Sequence, residues 1–460
     1  MMLFIGLPKS VERCICGASS GASVARPVAG RRVCPPVALL VSHPGAIMTQ
    51  KELGEGMIET LPDGPLDIVG DVHGELDALL ALLAVAGYDE QGRHPDGRHL
   101  VFLGDLVDRG PDSPGVVRLV QRLIDGGRAS CILGNHELNL LRGERKAGND
   151  WFWNENTAHD RRYHPWNWAD PAAGPEMLAF FERLPLALVR SDLRIVHAAW
   201  HEPSMVALSA LPTGGDFGEL FTRLDDDADR LLESRGVVAQ AKHEKATWRH
   251  HFADPEVDMP MLHAVGQLDE DRQMLNPVRV LTSGVERRAA QPFFASGQWR
   301  FAERVRWWDD YTDDVPVVVG HYWRQFLPLD RKALGKGDPD LFDGVSPRAW
   351  LGPRGRVFCV DFSVGGRWQE RKSPDTAPRS RLGLLRWPEK TLVLDTGEMV
   401  GTVGRGSAPR AGRTAPARCR AWLPAGAAGP RSRPRSDGQL PLPLHVPPGP
   451  LPRPAAVLRW

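Results

Sequence analysis

The sequence predicts an α/β layered domain, and three observations carry that prediction. Short apolar runs of strand length alternate with segments whose leucines recur at helical spacing in the first third of the chain. Strand-like runs return later, so early β-α-β-α units lead into strand-rich sequence. No internal repeat is visible, which sets solenoids and propellers aside.

The elements follow in order. Leu66-Asp67-Ile68-Val69 reads as a strand. A helix over 75–86 follows, with Leu76, Leu79, Leu80 and Leu83 on one face and Gly87 as its stop. A strand over 99–103, a helix over 114–124, a strand over 129–133 and a helix from His136 onward complete the alternation. Further strands are expected at 194–196, 316–319, 356–360, 383–387 and 391–394.

The chain has 460 residues and an apolar fraction of 42%, enough for a sizeable core in two or three domains or one large domain with appendages. No run of 18 apolar residues occurs, so no transmembrane helix and no membrane partner is expected. The formal charge is zero, which argues against bulk binding to nucleic acid. That zero conceals an imbalance: 1–47 carries +4, 401–460 carries +9, and 48–400 therefore carries −13. Twelve Pro, eight Gly, ten Ala and ten Arg crowd the last 60 residues without periodicity, too little apolar surface to offset ordering entropy. The expected organisation is a disordered or over-extended start over 1–47, a folded domain over 48–400, and a disordered tail over 401–460. A basic nucleic-acid-binding arm is the sharper alternative for that tail, and salt-dependent binding lost with 401–460 would reveal it.

Six Cys do not make a disulfide scaffold in a chain of this length. Cys14, Cys16, Cys34 and Cys419 lie in the two ends, and Cys14-Ile15-Cys16 has no second pair at finger spacing. Cys131 and Cys359 sit in apolar strand-like runs, as buried reduced thiols do, which points to the cytosol.

The polar residues that end these strands carry the chemistry. The first three strands end in Gly70-Asp71-Val72-His73-Gly74, Gly104-Asp105-Leu106-Val107-Asp108-Arg109-Gly110 and Gly134-Asn135-His136-Glu137. Two later ones end in His197 and His321. Carboxyl ends of strands border the crevice of an open α/β sheet, so Asp71, His73, Asp105, Asn135, His197 and His321 are expected in one place. Asp71 and His73 are two apart and would point the same way in extended chain. Carboxylate, imidazole and amide donors suit Mn, Fe or Zn better than Mg or Ca. A carboxylate has two oxygens, so Asp105 can bridge two metals; two ions about 3.5–4 Å apart clamp a hydroxide and a phosphoryl oxygen for in-line displacement. Arg109 matches phosphate oxygens, and His136, oriented by Asp108, can protonate a leaving oxygen. Each part alone is bland: Asp-Arg-Gly is an ordinary turn, Asn-His before a helix a cap. Three such motifs in this order, each after an apolar strand, are not.

The sequence resembles the calcineurin-like metallophosphoesterase superfamily, within it the phosphoprotein phosphatase branch, whose G-D-x-H-G, G-D-x-V-D-R-G and G-N-H-E patterns stand intact here. The resemblance implies a sandwich of two mixed sheets flanked by helices. It implies one metal on Asp71, His73 and Asp105, and another on Asp105, Asn135, His197 and His321, with Mn favoured and Fe or Zn as alternatives. It implies that Arg109 grips phosphate and that His136 with Asp108 is the acid pair. The expected activity is hydrolysis of a phosphorylated substrate, whether phosphoprotein, nucleotide or small phosphoester. A serine/threonine protein phosphatase comes first. The alternative is a dinucleoside polyphosphate hydrolase, because 135–141 also resembles the bacterial diadenosine tetraphosphatase group. A silent phospho-ligand binder on a degenerate scaffold would lack a ligand, and none is missing.

Departures bear on substrate. Ala198, Ala199 and Trp200 follow His197 where that branch carries two glycines. Its arginine-bearing segment between the late histidines has no clear counterpart; a charged, helical insertion over 198–315 stands there. Trp151, Trp153, Trp166 and Trp168 bracket Arg161 and Arg162. These rings are expected either to bury against the sheet edge or to form a lid, with Arg161 and Arg162 then candidates for the second phosphate clamp.

Overall fold

The computed structural model describes residues 56–211, 216–328, 331, 337–372 and 378–404. The N-terminal segment with Cys14, Cys16 and Cys34, and the tail from 405 with Cys419, lie outside the described residues. Within them the strands run β1 (Ile58–Thr60), β2 (Leu66–Val69), β3 (His99–Phe102), β4 (Ala129–Cys131), β5 (Ala187–Arg190), β6 (Leu193–Val196) and β7 (Glu286–Ala295). They continue with β8 (Gln298–Arg304), β9 (Val317–Val319), β10 (Val357–Cys359), β11 (Gly383–Trp387), β12 (Thr391–Leu394) and β13 (Met399–Gly401). Helices α1 (Leu76–Ala86), α2 (Ser113–Asp125) and α3 (Asn135–Leu141) follow the first three motif-bearing strands. Gly87 ends α1 in the left-handed conformation, as its position after the leucine stripe predicts.

Two mixed sheets form, ordered β13-β12-β11-β2-β3-β4 and β1-β5-β6-β9-β10. Strand alternation explains how they stack. Leu66, Ile68, Val101, Leu193, Ile195, Val318, Phe358 and Leu385 share one core between the sheets. Their neighbours in sequence, Val69, Leu100, Phe102, Val196, Val317, Val319, Val357 and Leu384, face outward into a second core with the helices. The result is the expected sandwich of two mixed sheets flanked by helices. A buried ion pair ties its strands: Asp67 of β2 receives Arg98 at 2.7 Å and the Tyr88 hydroxyl at 3.1 Å. Arg98 also bonds the Leu66 and Trp387 carbonyls, which ties β2 to β11 and satisfies a buried cation.

Two elements differ from expectation. The insertion after His197 holds the helices Phe217–Ser234, Val237–Trp248 and His263–Met274, yet β7 and β8 close it as a hairpin. The hairpin escapes period-2 pattern reading because β7 buries only Ala289 and Ala295, without alternation, and its pairing shifts between Arg288 and Phe293. Its turn, unread in the sequence, is Ser296-Gly297: φ of +53° and +79° are the pair of positive values that a type I′ hairpin needs. Leu232, Val265, Leu268 and Phe301 give this insertion a core of its own. The expected domain end at 400 also falls inside β13, and Trp350 bonds Val403 and Thr402 beyond it.

Candidate metal centre

Six strands point their carboxyl ends at one edge of the sandwich. β2 leads to Asp71 and His73, β3 to Asp105, β4 to Asn135, β6 to His197, β9 to His321, and β10 to Asp361. All six residues expected to hold metal are gathered there. Asp105 lies at the centre, and its two oxygens meet different imidazole nitrogens. Oδ2 lies 3.8 Å from His73 Nε2 and 3.9 Å from His136 Nε2, while Oδ1 lies 3.4 Å from His197 Nε2. The donor atoms of His73, Asp105 and His136 form one cluster within 4.8 Å of one another, and those of Asp105, His197 and His321 form a second. Asp71 Oδ2 is 3.9 Å from His73 Nε2, and Asn135 Oδ1 is 2.9 Å from His321 Nδ1 and 3.3 Å from His197 Nε2. Asn135 is therefore no cap; Gly134 takes that position and the amide faces the histidines.

Backbone conformation makes this convergence, and not in the way strand alternation suggests. His73 has φ +48°, so it turns back toward Asp71 instead of continuing an extended chain. Asp105, Asp108, Arg109, His321, Trp323 and Ser363 share the left-handed region; these seven stand among ten such non-glycine residues described. Each costs about 1–3 kcal/mol and persists only where surrounding contacts over-determine it. Glu137 supplies such contacts: its carboxylate accepts from Asp105 N at 2.9 Å, Leu106 N at 2.7 Å and Gly134 N at 3.1 Å. Asp361 accepts from Trp323 N at 2.6 Å and Ser363 N at 2.8 Å, which holds the turn after His321. Gly320 must be glycine, because a Cβ there would sit 2.1 Å from Asp71 Oδ1.

Hydrogen bonds also orient the rings. His73 Nδ1 faces the Val107 carbonyl at 3.0 Å and His197 Nδ1 the Leu103 carbonyl at 2.5 Å, so each Nε2 is turned inward. His136 Nδ1 faces Asp108 Oδ2 at 2.5 Å, and the Trp151 indole N–H donates to Asp108 Oδ1 at 2.8 Å. Arg109 donates to His73 Nε2 at 2.8 Å and to His136 Nε2 at 3.0 Å, with its guanidinium 4.7 Å from the Trp323 ring centre. One lone pair cannot serve a guanidinium and a cation together, so a metal on His73 frees that prong of Arg109.

The charges are balanced only locally. Burial would raise the Asp105 carboxyl, but His197, His136 and His73 together hold it well below its usual range. Burial would lower His197, but the charge and hydrogen bond of Asp105 and the charge of Asp71 push it up to about 10. A cation at His197 therefore competes with a proton. Asp71 is driven well up by burial and then by the charge of Asp361, and Glu137 is pushed up to about 7 by burial and by Asp105. Burial lowers His321, and Arg304 at the end of β8 lowers it further, so the hairpin brings a positive charge within reach of the centre. His321 Nε2 is buried with no partner. That orphaned donor, two clusters sharing one carboxylate, and the imidazole, carboxylate and amide set fit two divalent transition-metal ions.

Sequence reasoning missed three residues here. Glu137 stands in the third motif, but its bonds to the Asp105 loop are invisible in the chain. Asp361 carried a signal, an acid closing an apolar strand before Gly365-Gly366, like the other motifs. Trp151 belongs to the aromatic segment, whose rings turn out to divide their work. Trp151 is fully buried against Asp108, Trp166 is buried, and Trp168 is 40% exposed.

A profile of the calcineurin-like phosphoesterase family matches residues 64–269. A symmetrical bis(5'-nucleosyl)-tetraphosphatase of Ralstonia nicotianae is 41% identical over 316 residues, covering 65% of this chain and 93% of that protein. The asymmetrical bis(5'-nucleosyl)-tetraphosphatase PrpE of Halalkalibacterium halodurans is 48% identical over 79 residues, 16% of this chain and 32% of that protein. The chain thus matches only about a third of the length of the asymmetrical relatives (32% of that PrpE). Among solved structures, the cold-active protein-tyrosine phosphatase of a psychrophilic Shewanella is similar at 17% identity, covering 77% of this chain and 85% of that one, with a TM-score of 0.38.

Proposed function

This chain belongs to the calcineurin-like phosphoesterases, and on that premise we propose that it hydrolyses the phosphoanhydride chain of dinucleoside polyphosphates at a pair of manganese ions. Hydrolysis of phosphoester bonds goes with the family. One observation carries the two-ion site: the two oxygens of Asp105 are divided between two donor clusters. Asp71, His73 and Asp105 would hold one ion, and Asp105, Asn135, His197 and His321 the other. Two divalent ions there supply Lewis acidity toward a phosphoryl group and acidify water. The protein supplies the rest. Arg109, released from His73 by a metal and from His136 once that Nε2 carries the proton, would present two prongs to phosphate oxygens. His136 holds a proton for the leaving oxygen. Asp108 fixes its ring, and Trp151 fixes Asp108.

The dinucleoside substrate is supported by a relative of that name matching across most of its length. A second reading, a serine/threonine protein phosphatase, draws support from the three intact motifs. Cys131 and Cys359, both buried and free, suit a cytosolic site of action. Full-length protein should cleave an aryl phosphate with Mn and lose that activity to a chelator. Comparing kcat/KM for diadenosine tetraphosphate and a phosphoserine peptide decides the substrate. A higher value for the peptide would overturn the dinucleoside assignment, and full activity after exhaustive metal removal would overturn the mechanism.

A further inference from the structure

The rim of the metal centre carries two cations that the centre does not use. Two segments meet there. The first is fastened to Arg109: Arg109 N donates to the Gly148 carbonyl at 3.2 Å, and Asp160 accepts from Gly148 N at 2.8 Å. Arg161, Arg162 and Tyr163 follow Asp160 directly, and Arg161 is exposed. The second lies on His73. A Cβ on Gly365 would fall 2.4 Å from His73 Cδ2, and Trp368 comes three residues later, about 5 Å along a helical path.

The segments touch through aromatic rings. Tyr163 and Trp368 meet edge to face at 4.8 Å between centroids. The Arg162 guanidinium lies 4.8 Å from the Tyr163 ring and 5.4 Å from Trp368, and Lys372 Nζ lies 4.7 Å from Trp368. Arg162 donates to the Tyr163 hydroxyl at 2.9 Å. Among the described residues, no carboxylate stands within ion-pair distance of Arg162 or Lys372. In the second segment the neighbouring arginines are paired: Arg371 with Glu75 at 2.6 Å, Arg367 with Asp395 at 2.5 Å. Cation–π contact explains where Arg162 and Lys372 lie, but among the described residues it leaves both without a carboxylate, on segments fastened to Arg109 and His73.

We propose that Arg162 and Lys372 form a subsite for the phosphoryl groups of a linear phosphoanhydride chain that lie beyond the one held at Arg109. The subsite rests on the hydrolase reading of the metal centre and narrows it. A phosphomonoester places its charge at Arg109 and leaves nothing for these cations. A chain of several phosphates carries further charge outward, across the rim where they stand.

Calorimetric titration of the Mn-saturated full chain tests this without turnover. Inorganic tripolyphosphate and orthophosphate are the probes, with free Mn held constant. The wild-type protein should bind tripolyphosphate at least about tenfold more tightly than orthophosphate. Arg162→Gln and Lys372→Gln should each cut that ratio by about fivefold, the scale of one lost charge contact near a surface. Lys372→Arg should restore it. No preference in the wild type, a ratio unmoved in the double variant, or equal weakening of both probes would overturn the subsite. Adenosine 5'-tetraphosphate as a third probe distinguishes the source: tighter binding than tripolyphosphate identifies a nucleotide chain, equal binding an inorganic one, and both keep the subsite. A protein that shows the ratio but cleaves no aryl phosphate would instead refute the hydrolase reading alone.

Discussion

The two sheets deliver donors to the same edge by different routes. The six-stranded sheet sends Asp71, His73, Asp105 and Asn135 from β2, β3 and β4, which are parallel neighbours joined by short crossovers. The five-stranded sheet sends His197 and His321 from β6 and β9, also parallel neighbours, although 123 residues separate the two histidines. Chain entropy explains why such a gap is tolerable. Lengthening a connection fourfold, roughly the ratio here, adds only about 1.2 kcal/mol even for a flexible loop. The insertion moreover buries its own apolar residues around Phe301 and Leu232, so the sandwich need not bury them. Spacing is thus informative in the first sheet and uninformative in the second, where the candidate donors show only as single histidines at strand ends.

The comparison breaks hardest at Asp105, which serves both sheets. Asp105→Asn should lower metal content at both sites together and bring aryl phosphate turnover to the uncatalysed level, read by elemental analysis and initial rates. Loss of one ion with the other retained would separate the two clusters. His136→Ala stays within the first sheet. Metal content should hold while turnover falls by about a hundredfold or more, and the loss should shrink for leaving groups that need no proton. If that variant loses metal instead, His136 is a ligand of its cluster. Trp151→Phe removes one hydrogen bond to the Asp108 carboxylate. At about 1.5–3 kcal/mol for a bond to a charged group, kcat should drop at least about tenfold with metal retained.

Smaller effects sharpen the contrast from the insertion side. Phe301→Ala should weaken the insertion by about 3–5 kcal/mol, visible as early hydrogen exchange over 217–304, with the metal sites intact. Simultaneous loss of metal would show that insertion and sandwich unfold as one unit. The smallest change concerns β13. A chain ending at 400 loses the bonds of Trp350 Nε1 to Thr402 Oγ1 at 2.9 Å and of Trp350 N to the Val403 carbonyl at 3.0 Å. It should melt a few degrees below a chain ending at 404, at about 0.5–1.5 kcal/mol per bond. Equal melting temperatures would mean that β13 contributes nothing.

The sequence by itself determined the strand and helix alternation and the residues at the strand ends, and hence which six candidate donors, with Arg109, His136 and Asp108, meet at one edge. These are local statements. Apolar period and turn chemistry are properties of contiguous residues, and a window of about 11–18 residues suffices to express them. Tertiary structure alone decided which oxygen of Asp105 faces which histidines, that Trp151 reaches Asp108 from 43 positions away, and that His321 N meets Asp71 across 250. It also decided that Glu137 and Asp361 hold the turns, and that the donors converge through left-handed backbone instead of strand alternation. Such contacts are set when two sheets pack and their edges come into register. The free energy that holds a strained His73 or Asp105 comes from residues far away in the chain, so no window of sequence contains it.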